Sequence, residues 1–274
     1  MLLGYNTNGF AHHRLEDAIQ ILAELGYRSI AITLDHGALN PFDLDSRQCE
    51  RVRALLTRLN LACVIETGAR FLLDPRRKHQ PTLVSQHDHD RGRRREFLRR
   101  AVDIAVELGA SAVSFWSGTP DGECSDNQME KLAHECKDLC DYAAPRMRLA
   151  FEPEPGMFID TMAKFEELHQ IVNHRAFGLT LDIGHLHCQQ ETPIAEHIHK
   201  WRDWLWNIHI EDMKRGVHEH LMFGEGEIDF APVFKALREI DYDGGVHVEL
   251  SRHSHDAVNV AQQAMAFVRP WLAV

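Results

Sequence analysis

The sequence predicts a single (β/α)₈ barrel of the α/β class. Short apolar runs alternate with amphipathic stretches along the whole chain, and polar turns separate them, as in parallel strands joined by helical crossovers. The length of 274 residues agrees with the roughly 250 residues that one such barrel needs. No change in composition marks a domain boundary, so we expect one domain over residues 1–274.

Eight apolar runs are the predicted strands, and eight amphipathic stretches are the predicted helices. The strands cover residues 2–6, 29–34, 61–65, 112–115, 149–151, 178–181, 205–210 and 245–250. The first helix places Leu15, Ile19 and Leu22 on one face at spacings of three and four, and Gly26 ends it. The other helices lie near residues 52–59, 94–108, 129–139, 160–173, 194–201, 230–240 and 254–270.

Two connections are longer than plain turns, at about residues 67–90 and 211–229. Long loops in compact domains tend to form lids or binding loops, so we expect both to lie over the active-site face. The first loop holds the basic run 75–79, and a second basic run follows at 91–95. Such runs are usually solvated surface, and the alternative is contact with an anionic group of a substrate.

Composition and charge indicate the class of partner. The formal net charge of −11 argues against a nucleic-acid binder, because such proteins usually carry a net basic surface. The six cysteines form no paired metal knuckle and are expected to be reduced thiols. No apolar run reaches the roughly 18 residues of a membrane span, and the first residues do not resemble a signal peptide. We therefore expect a cytoplasmic protein with a small-molecule partner.

Four consecutive predicted strands end in a side chain that can bind metal. These side chains are Glu152, Asp182, His209 and Glu249, at successive separations of 30, 27 and 40 residues. Each separation is about one strand–helix unit, so all four should reach the same rim of the barrel, where active sites of this fold lie. Three carboxylates and one imidazole favour Mn²⁺ or Mg²⁺, with Co²⁺ or Zn²⁺ also suitable.

Several neighbouring residues compete for these roles. Glu154 lies two residues beyond Glu152 and would face the same side of an extended strand. Glu211 and Asp212 follow His209 directly. His218 and His220 lie in the next loop and could be further ligands, substrate contacts or surface residues.

The second half of the chain resembles the xylose isomerase-like barrel superfamily. This superfamily includes ketose 3-epimerases, sugar-phosphate epimerases, hydroxypyruvate isomerase, inosose dehydratase and endonuclease IV. The similar segments are Leu-Asp-Ile-Gly-His at 181–185, Asn-Ile-His-Ile-Glu-Asp at 207–212, Gly-Glu-Gly-Glu-Ile-Asp-Phe at 224–230 and Val-Glu-Leu at 248–250. The specific resemblance covers about residues 148–252, and the first half is similar only in architecture.

The resemblance implies a metal-dependent isomerase or epimerase of a small sugar, sugar phosphate or related polyol ketone. In such relatives two glutamate ligands act as acid and base on opposite faces of the substrate, and the metal stabilises an enediolate. Carried over, Glu152 would remove the proton and Glu249 would return one. The resemblance further implies that His185 and Arg215 hold substrate oxygens.

Residues that close or follow the earlier strands are expected to line the same pocket. They are Asn6, Asp35, His36, Glu66, Arg70 and Trp116. We predict substrate contacts from Glu66, Arg70, Trp116 and also His220. Trp116 could offer an apolar wall to a sugar face, or it could simply pack in the core.

Other functions remain open at this point. A metal-dependent dehydratase of a keto-cyclitol or dehydroshikimate-like compound starts with the same enolisation and then loses water. A non-catalytic metabolite-binding barrel would not need the pair Glu152 and Glu249. A phosphodiesterase like endonuclease IV would need a multi-metal site richer in histidine and a basic DNA-binding face. Dimers and tetramers are common among the relatives, so a homo-oligomer also fits the sequence.

Overall fold

A computed structural model describes residues 1–272 of the chain. Its strands are Leu2–Asn6 (β1), Ser29–Thr33 (β2), Ala62–Glu66 (β3), Val113–Phe115 (β4), Leu149–Phe151 (β5), Phe177–Asp182 (β6), Leu205–Ile210 (β7), Asp212–Lys214 (β8), Val217–Leu221 (β9) and Gly245–Val248 (β10). Its α-helices are Leu15–Leu25 (α1), Ser46–Leu59 (α2), Asp88–Leu108 (α3), Gln128–Ala143 (α4), Met162–Val172 (α5), Ile183–Cys188 (α6), Ile194–Trp201 (α7), Phe230–Glu239 (α8) and Ala257–Leu272 (α9). Short 3₁₀ helices span Thr7–Phe10 and Ser254–Asp256.

Eight parallel strands close into a barrel, which confirms the predicted (β/α)₈ fold. The strand order around the barrel is β1-β10-β7-β6-β5-β4-β3-β2. Pairing of Asp182 with His209 and of Thr33 with Glu66 places the carboxyl ends of the strands at one rim. Because every crossover returns the chain to the opposite rim, the residues after each strand meet on one face.

The apolar core lies between the barrel and its surrounding helices. Phe115 and Phe151 pack edge to face at 5.2 Å between ring centroids, and Phe165 of α5 lies over Phe151 at 6.0 Å. The barrel interior is partly polar instead. Gly4 of β1 lies against the imidazole of His247, and a Cβ atom at position 4 would overlap that ring.

Local sequence signals explain where two of the helices begin and end. Gly26 ends α1 with φ +101°, a left-handed conformation that favours glycine. Asp45 caps the start of α2 in a capping box with Gln48, which satisfies backbone N–H groups that the helix leaves free. Within residues 1–272, the structure has no helix that is long and apolar enough to cross a membrane.

Besides shifts at the ends of elements, such as the start of α2 at Ser46, the structure differs from the sequence prediction in three places. Helix α3 begins at Asp88 rather than near residue 94, which shortens the first long loop. The segment 211–229, expected as a loop, contains the antiparallel hairpin β8–β9. Helix α6 follows β6 directly, with Asp182 as its N-cap, and it brings the described α-helices to nine instead of eight. The two hairpin strands and α6 are three to six residues long, too short to show a clear hydrophobic period.

Candidate active site and metal centre

The four predicted ligands meet in one cluster at the carboxyl rim of the barrel. His209 Nδ1 lies 3.0 Å from Glu152 Oε1, 2.9 Å from Glu249 Oε2 and 3.8 Å from Asp182 Oδ2. One ligand atom from each of the four residues falls within 4.8 Å of the others. Glu152, Asp182 and His209 are buried, and Glu249 is nearly so. The arrangement can therefore hold a single metal ion.

The charges of this cluster fit a cation at its centre. Burial by itself lowers the pKa of His209, but the carboxylates of Glu66, Glu152 and Glu249 raise it well above its usual value. Burial also raises the pKa of Glu152 well above the usual carboxyl value. Asp182 Oδ2 is buried without a hydrogen-bond partner among the described residues. A divalent ion would neutralise the clustered carboxylates and give this oxygen a partner.

Glu66 fixes the orientation of the His209 ring. Its Oε1 lies 2.9 Å from His209 Nε2, and it also accepts a hydrogen bond from Asn207 Nδ2 at 3.0 Å. Because Nε2–H then points to a carboxylate, Nδ1 is the ring nitrogen that faces the centre of the cluster, where it would give up its proton to bind a cation. A carboxylate behind an imidazole is a common arrangement in metal sites, where it orients the ring and raises its basicity.

A hydrogen-bonded chain continues below the cluster into the barrel. Asn207 Oδ1 lies 2.8 Å from His247 Nδ1, and His247 Nε2 lies 2.8 Å from Ser29 Oγ. Burial lowers the pKa of His247 to about 3, so this ring is neutral. These residues were not among the predicted site residues, although Asn207 and His247 each stand two positions before a predicted ligand. Residues two apart on a strand share a face, and that spacing was the available signal.

A cavity of about 480 Å³ lies above the cluster. The loop after β3 contributes Arg70, Lys78 and His79 to its lining, and the hairpin contributes His218 and His220. The predicted residues Asn6, Glu66, Trp116, Glu152, His185, His209 and Glu249 also line it. Both long segments identified in the sequence thus reach the cavity.

Two other depressions are separate from the cluster. Asp35 and His36, expected in the main pocket, line a neighbouring cavity of about 220 Å³ that shares Asn8, Thr33 and Arg70 with it. A larger groove of about 670 Å³ lies along α3 beside Phe42 and contains none of the clustered carboxylates. The main cavity is therefore the one that has the carboxylate and histidine cluster at its base.

Two residues from the first half of the chain, Asn8 and Arg70, support Glu249 of the cluster. Asn8 Nδ2 donates to Glu249 Oε1 at 2.7 Å, and Arg70 Nη2 donates to the backbone oxygen of Asn8 at 3.1 Å. Glu249 is thus held by His209 on one oxygen and by Asn8 on the other. Burial tends to raise the pKa of Glu249, but the charge on His209 lowers it below the usual value.

Trp116 forms one wall of the cavity and rests on a buried arginine. The Arg94 guanidinium lies 4.3 Å from the centre of the Trp116 ring and 5.0 Å from that of Phe97. Arg94 Nη2 donates to the Thr67 oxygen at 2.8 Å, while Nε and Nη1 are buried without a partner among the described residues. Trp116 therefore combines the two roles that the sequence left open, since it is packed and also lines the cavity.

Glu154 and Arg215 occupy different positions relative to the cavity. Glu154 lines it, and burial together with the charge of Glu249 raises the pKa of Glu154 to about 7. Arg215 lies in the exposed turn between β8 and β9, where its backbone N–H donates to Glu227 at 3.3 Å. The structure does not bring Arg215 to the cavity, because the hairpin directs this turn into solvent.

The closed parallel barrel and the cluster of carboxylates and an imidazole at its carboxyl rim define the class of this protein. It is a (β/α)₈ barrel with a polar centre that can hold a metal ion. The chain belongs to the xylose isomerase-like TIM barrel family, whose model matches residues 19–271. It is 22% identical to an L-ribulose-5-phosphate 3-epimerase of Shigella flexneri over 263 residues, which cover 94% of this chain and 89% of that protein.

Other curated relatives match over shorter segments. An uncharacterised protein of Methanocaldococcus jannaschii is 28% identical over 177 residues, which cover 60% of this chain and 58% of that protein. An inosose dehydratase of Clostridium botulinum is 28% identical over 143 residues, which cover 46% of this chain and 48% of that protein. The epimerase and the dehydratase among these relatives are enzymes.

Solved structures show the same fold. A D-allulose 3-epimerase from Methylomonas sp. in complex with D-allulose superposes with a TM-score of 0.79 at 23% identity, covering 98% of this chain and 96% of that chain. A structure of the IOLI protein with a bound zinc atom superposes with a TM-score of 0.77 at 18% identity, covering 100% of this chain and 98% of that chain.

Proposed function

We propose that this chain is a divalent-metal-dependent epimerase or isomerase of a small ketose, ketose phosphate or related polyol ketone. The metal would be held by Glu152, Asp182, His209 and Glu249, with Mn²⁺ or Mg²⁺ favoured by the three carboxylates. Once bound, the metal supplies Lewis-acid polarisation of a carbonyl next to the carbon that loses its proton.

The observation that carries this proposal is the placement of Glu152 and Glu249 at separated points of one rim. Glu152 follows β5 and Glu249 follows β10, and β6 and β7 lie between these strands in the barrel. Both carboxylates nevertheless contact the same nitrogen of His209, at 3.0 and 2.9 Å. Two carboxylates that approach one centre from different sides can remove a proton from one face of a carbon and return it to the other.

Glu152 and Glu249 then have separate roles in proton transfer. In one direction Glu152 removes the proton next to the carbonyl, and Glu249 delivers a proton to the opposite face. In the reverse direction the roles exchange. Asn8 holds Glu249 through its second oxygen, at 2.7 Å, which limits the rotation of this carboxylate. Glu66 holds His209 and thereby fixes the nitrogen that both carboxylates face.

The cavity supports a small polar substrate. A volume of about 480 Å³ is within the range of small-molecule sites. Trp116 offers an apolar surface for the C–H face of a sugar, and Arg70, Lys78 and His185 offer polar contacts for its oxygens. The similarity to L-ribulose-5-phosphate 3-epimerase along 94% of the chain supports the same substrate class.

Deuterium exchange tests the proposal directly. The Mn²⁺-loaded protein is incubated in deuterated water with a panel of ketoses, ketose phosphates and keto-cyclitols, and the carbon-bound deuterium is followed by NMR. We expect exchange next to the carbonyl of at least one ketose, loss of exchange with a chelator, and, in Glu152→Gln, loss of exchange of the epimer whose proton faces Glu152. Glu167→Gln, a matched change on the exposed side of α5, should exchange like the wild type.

The same panel separates the competing functions. Loss of water from a keto-cyclitol, rather than formation of an epimer, would replace the epimerase by the dehydratase suggested by the inosose dehydratase similarity. Metal binding without exchange on any compound would favour a binding protein. If Glu152→Gln at full metal loading still exchanges the epimer whose proton faces Glu152, the role given to this residue is wrong.

A further inference from the structure

Arg94 is a fully buried arginine in the basic run 91–95. The sequence left two roles open for this run, solvated surface and contact with an anionic group, and burial excludes the first for Arg94. Burial also lowers the pKa of Arg94 to about 9, so the guanidinium still carries its charge at neutral pH. A buried charge is costly unless specific partners compensate it, so the partners of Arg94 indicate its role.

The main partners of the guanidinium are two aromatic rings. Its central carbon lies 4.3 Å from the centre of the Trp116 ring and 5.0 Å from that of Phe97. Nη2 donates to the Thr67 oxygen at 2.8 Å, and Nε and Nη1 have no hydrogen-bond partner among the described residues. A cation–π contact is strongest where no water competes for the cation. The Trp116 ring is therefore held by an arginine that has few other partners.

Two further contacts limit the movement of the Trp116 ring. The ring of His79, which also lines the cavity, lies 5.3 Å from it. Gly118 has φ +81°, and a Cβ atom at position 118 would lie 2.9 Å from Trp116 Cζ3 and overlap Thr82. The chain after β4 thus passes close to the ring edge without a side chain. Trp116 lines the cavity from this confined position.

Arg94 also connects the ends of two neighbouring strands. Thr67 directly follows β3, and Trp116 directly follows β4. Thr67 Oγ1 donates to the Ser114 oxygen of β4 at 2.8 Å, so the two strand ends are joined to each other as well. By holding the Thr67 oxygen and the Trp116 ring together, Arg94 fixes the ring relative to the rim of the barrel.

We propose that Arg94 is a positioning residue that sets the affinity for the substrate by holding Trp116 as a preorganised wall of the cavity. The inference rests on the proposed function, since it takes the C–H face of a polyol as the group that packs on this wall. A ring that has to be ordered when the ligand binds weakens the binding, whereas a ring that is already held does not. Arg94 thus contributes to binding from behind the wall, without touching the ligand.

Affinity for ribitol tests the wall without catalytic turnover, because ribitol has no carbonyl and cannot be enolised. Calorimetry on the Mn²⁺-loaded protein compares Arg94→Met, which keeps an apolar stem, with Arg94→Lys, which keeps the charge. We expect the methionine variant to bind ribitol about 3- to 10-fold more weakly, and the lysine variant to recover part of that loss. Arg58→Met, a matched change on the exposed surface of α2, should bind like the wild type.

A double-mutant cycle shows whether Arg94 acts through Trp116. In a Trp116→Leu background, Arg94→Met should cause no further loss of ribitol affinity. The tryptophan emission spectrum should differ between the wild type and Arg94→Met, and this difference should disappear when Trp116 is replaced in both proteins. For any ketose that exchanges its proton, Arg94→Met should raise KM and leave kcat nearly unchanged, because the wall acts on binding alone. Circular dichroism verifies folding, and Arg94→Lys serves in the same cycle if Arg94→Met does not fold.

Three results would overturn the role of Arg94. They are equal losses of ribitol affinity in both backgrounds, an emission spectrum that does not change, and a wild type that does not bind ribitol. The emission cycle needs neither ligand nor turnover, so an intact cycle without proton exchange on any ketose would overturn only the proposed function. Conversely, proton exchange on a ketose together with equal losses in both backgrounds would overturn only the role of Arg94.

Discussion

Glu66 Oε1 lies 2.9 Å from His209 Nε2, although their strands, β3 and β7, lie on different sides of the barrel. Asn207 donates to the same oxygen at 3.0 Å, so the carboxylate is held between two side chains of β7. This contact selects the tautomer of His209 and leaves its Nδ1 toward Glu152 and Glu249. Glu66 was predicted from the sequence as a substrate contact, and its geometry also gives it a role in positioning the imidazole.

Replacing Glu66 by glutamine is expected to weaken metal binding. The amide keeps the shape of the side chain but loses the negative charge that supports the Nε2–H group. We expect about 10- to 100-fold lower affinity for Mn²⁺, measured by calorimetry on the metal-free protein. Glu167→Gln on the exposed side of α5 is the control. An affinity equal to that of the wild type would show that Glu66 does not position His209.

Glu152→Gln and Glu249→Gln are expected to lose epimerisation by about 10²- to 10⁴-fold, because each removes one of the two proton-transfer groups. Deuterium exchange should separate them. Each variant should still exchange the epimer whose proton faces its intact glutamate, so the two variants should show opposite preferences. The measurement follows each epimer separately by NMR at saturating metal, with the metal content of every sample verified. The same preference in both variants would contradict the assignment of opposite faces.

The strands and the cluster of three carboxylates and one histidine were predictable because both follow from regular spacing. Each barrel strand is a short apolar run, and Glu152, Asp182, His209 and Glu249 recur at intervals of about one strand–helix unit. In a closed parallel barrel that interval alone brings the strand ends to one rim. The structure places one ligand atom of each of these four side chains within 4.8 Å of the others.

Contacts across the barrel were not predictable in the same way. Whether Asn8 reaches Glu249 or Glu66 reaches His209 depends on the register around the closed sheet, which no single strand encodes. The hairpin β8–β9 was missed because its strands are three and five residues long. Its position decides that His218 and His220 line the cavity and that Arg215 faces solvent.

Gly184→Ala is expected to destabilise the protein by about 1–3 kcal/mol, because the added methyl group would overlap Glu211 Oε1. Gly37→Ala is the control, since no atom lies within 4 Å of a Cβ atom there. Adding Glu211→Ala to Gly184→Ala should remove the overlap and recover part of the loss. Urea unfolding of the four proteins gives the coupling. Strictly additive effects would show that position 184 and Glu211 do not compete for space.

His169 of α5 is expected to make the protein sensitive to mild acid. Its ring packs among aromatic side chains, with centroid distances of 4.8 Å to Trp204, 5.3 Å to Trp201 and 5.7 Å to Phe165. Burial lowers the pKa of His169 below the usual value, and its Nε2 has no hydrogen-bond partner among the described residues. The folded state therefore resists protonation of this ring.

The sign of the effect follows from proton binding in the two states. As the pH falls through about 6.5, the unfolded chain protonates His169 while the folded chain does not, so acid favours unfolding. This contribution to stability is present above that pH and is lost as the pH falls toward the lowered pKa of the folded state. His169→Leu removes the titrating group and keeps an apolar side chain. The free energy of unfolding of the variant, relative to the wild type, should therefore rise between about pH 7.5 and about pH 5. Urea unfolding followed by circular dichroism measures it, and parallel curves for the two proteins would exclude His169 as a source of acid sensitivity.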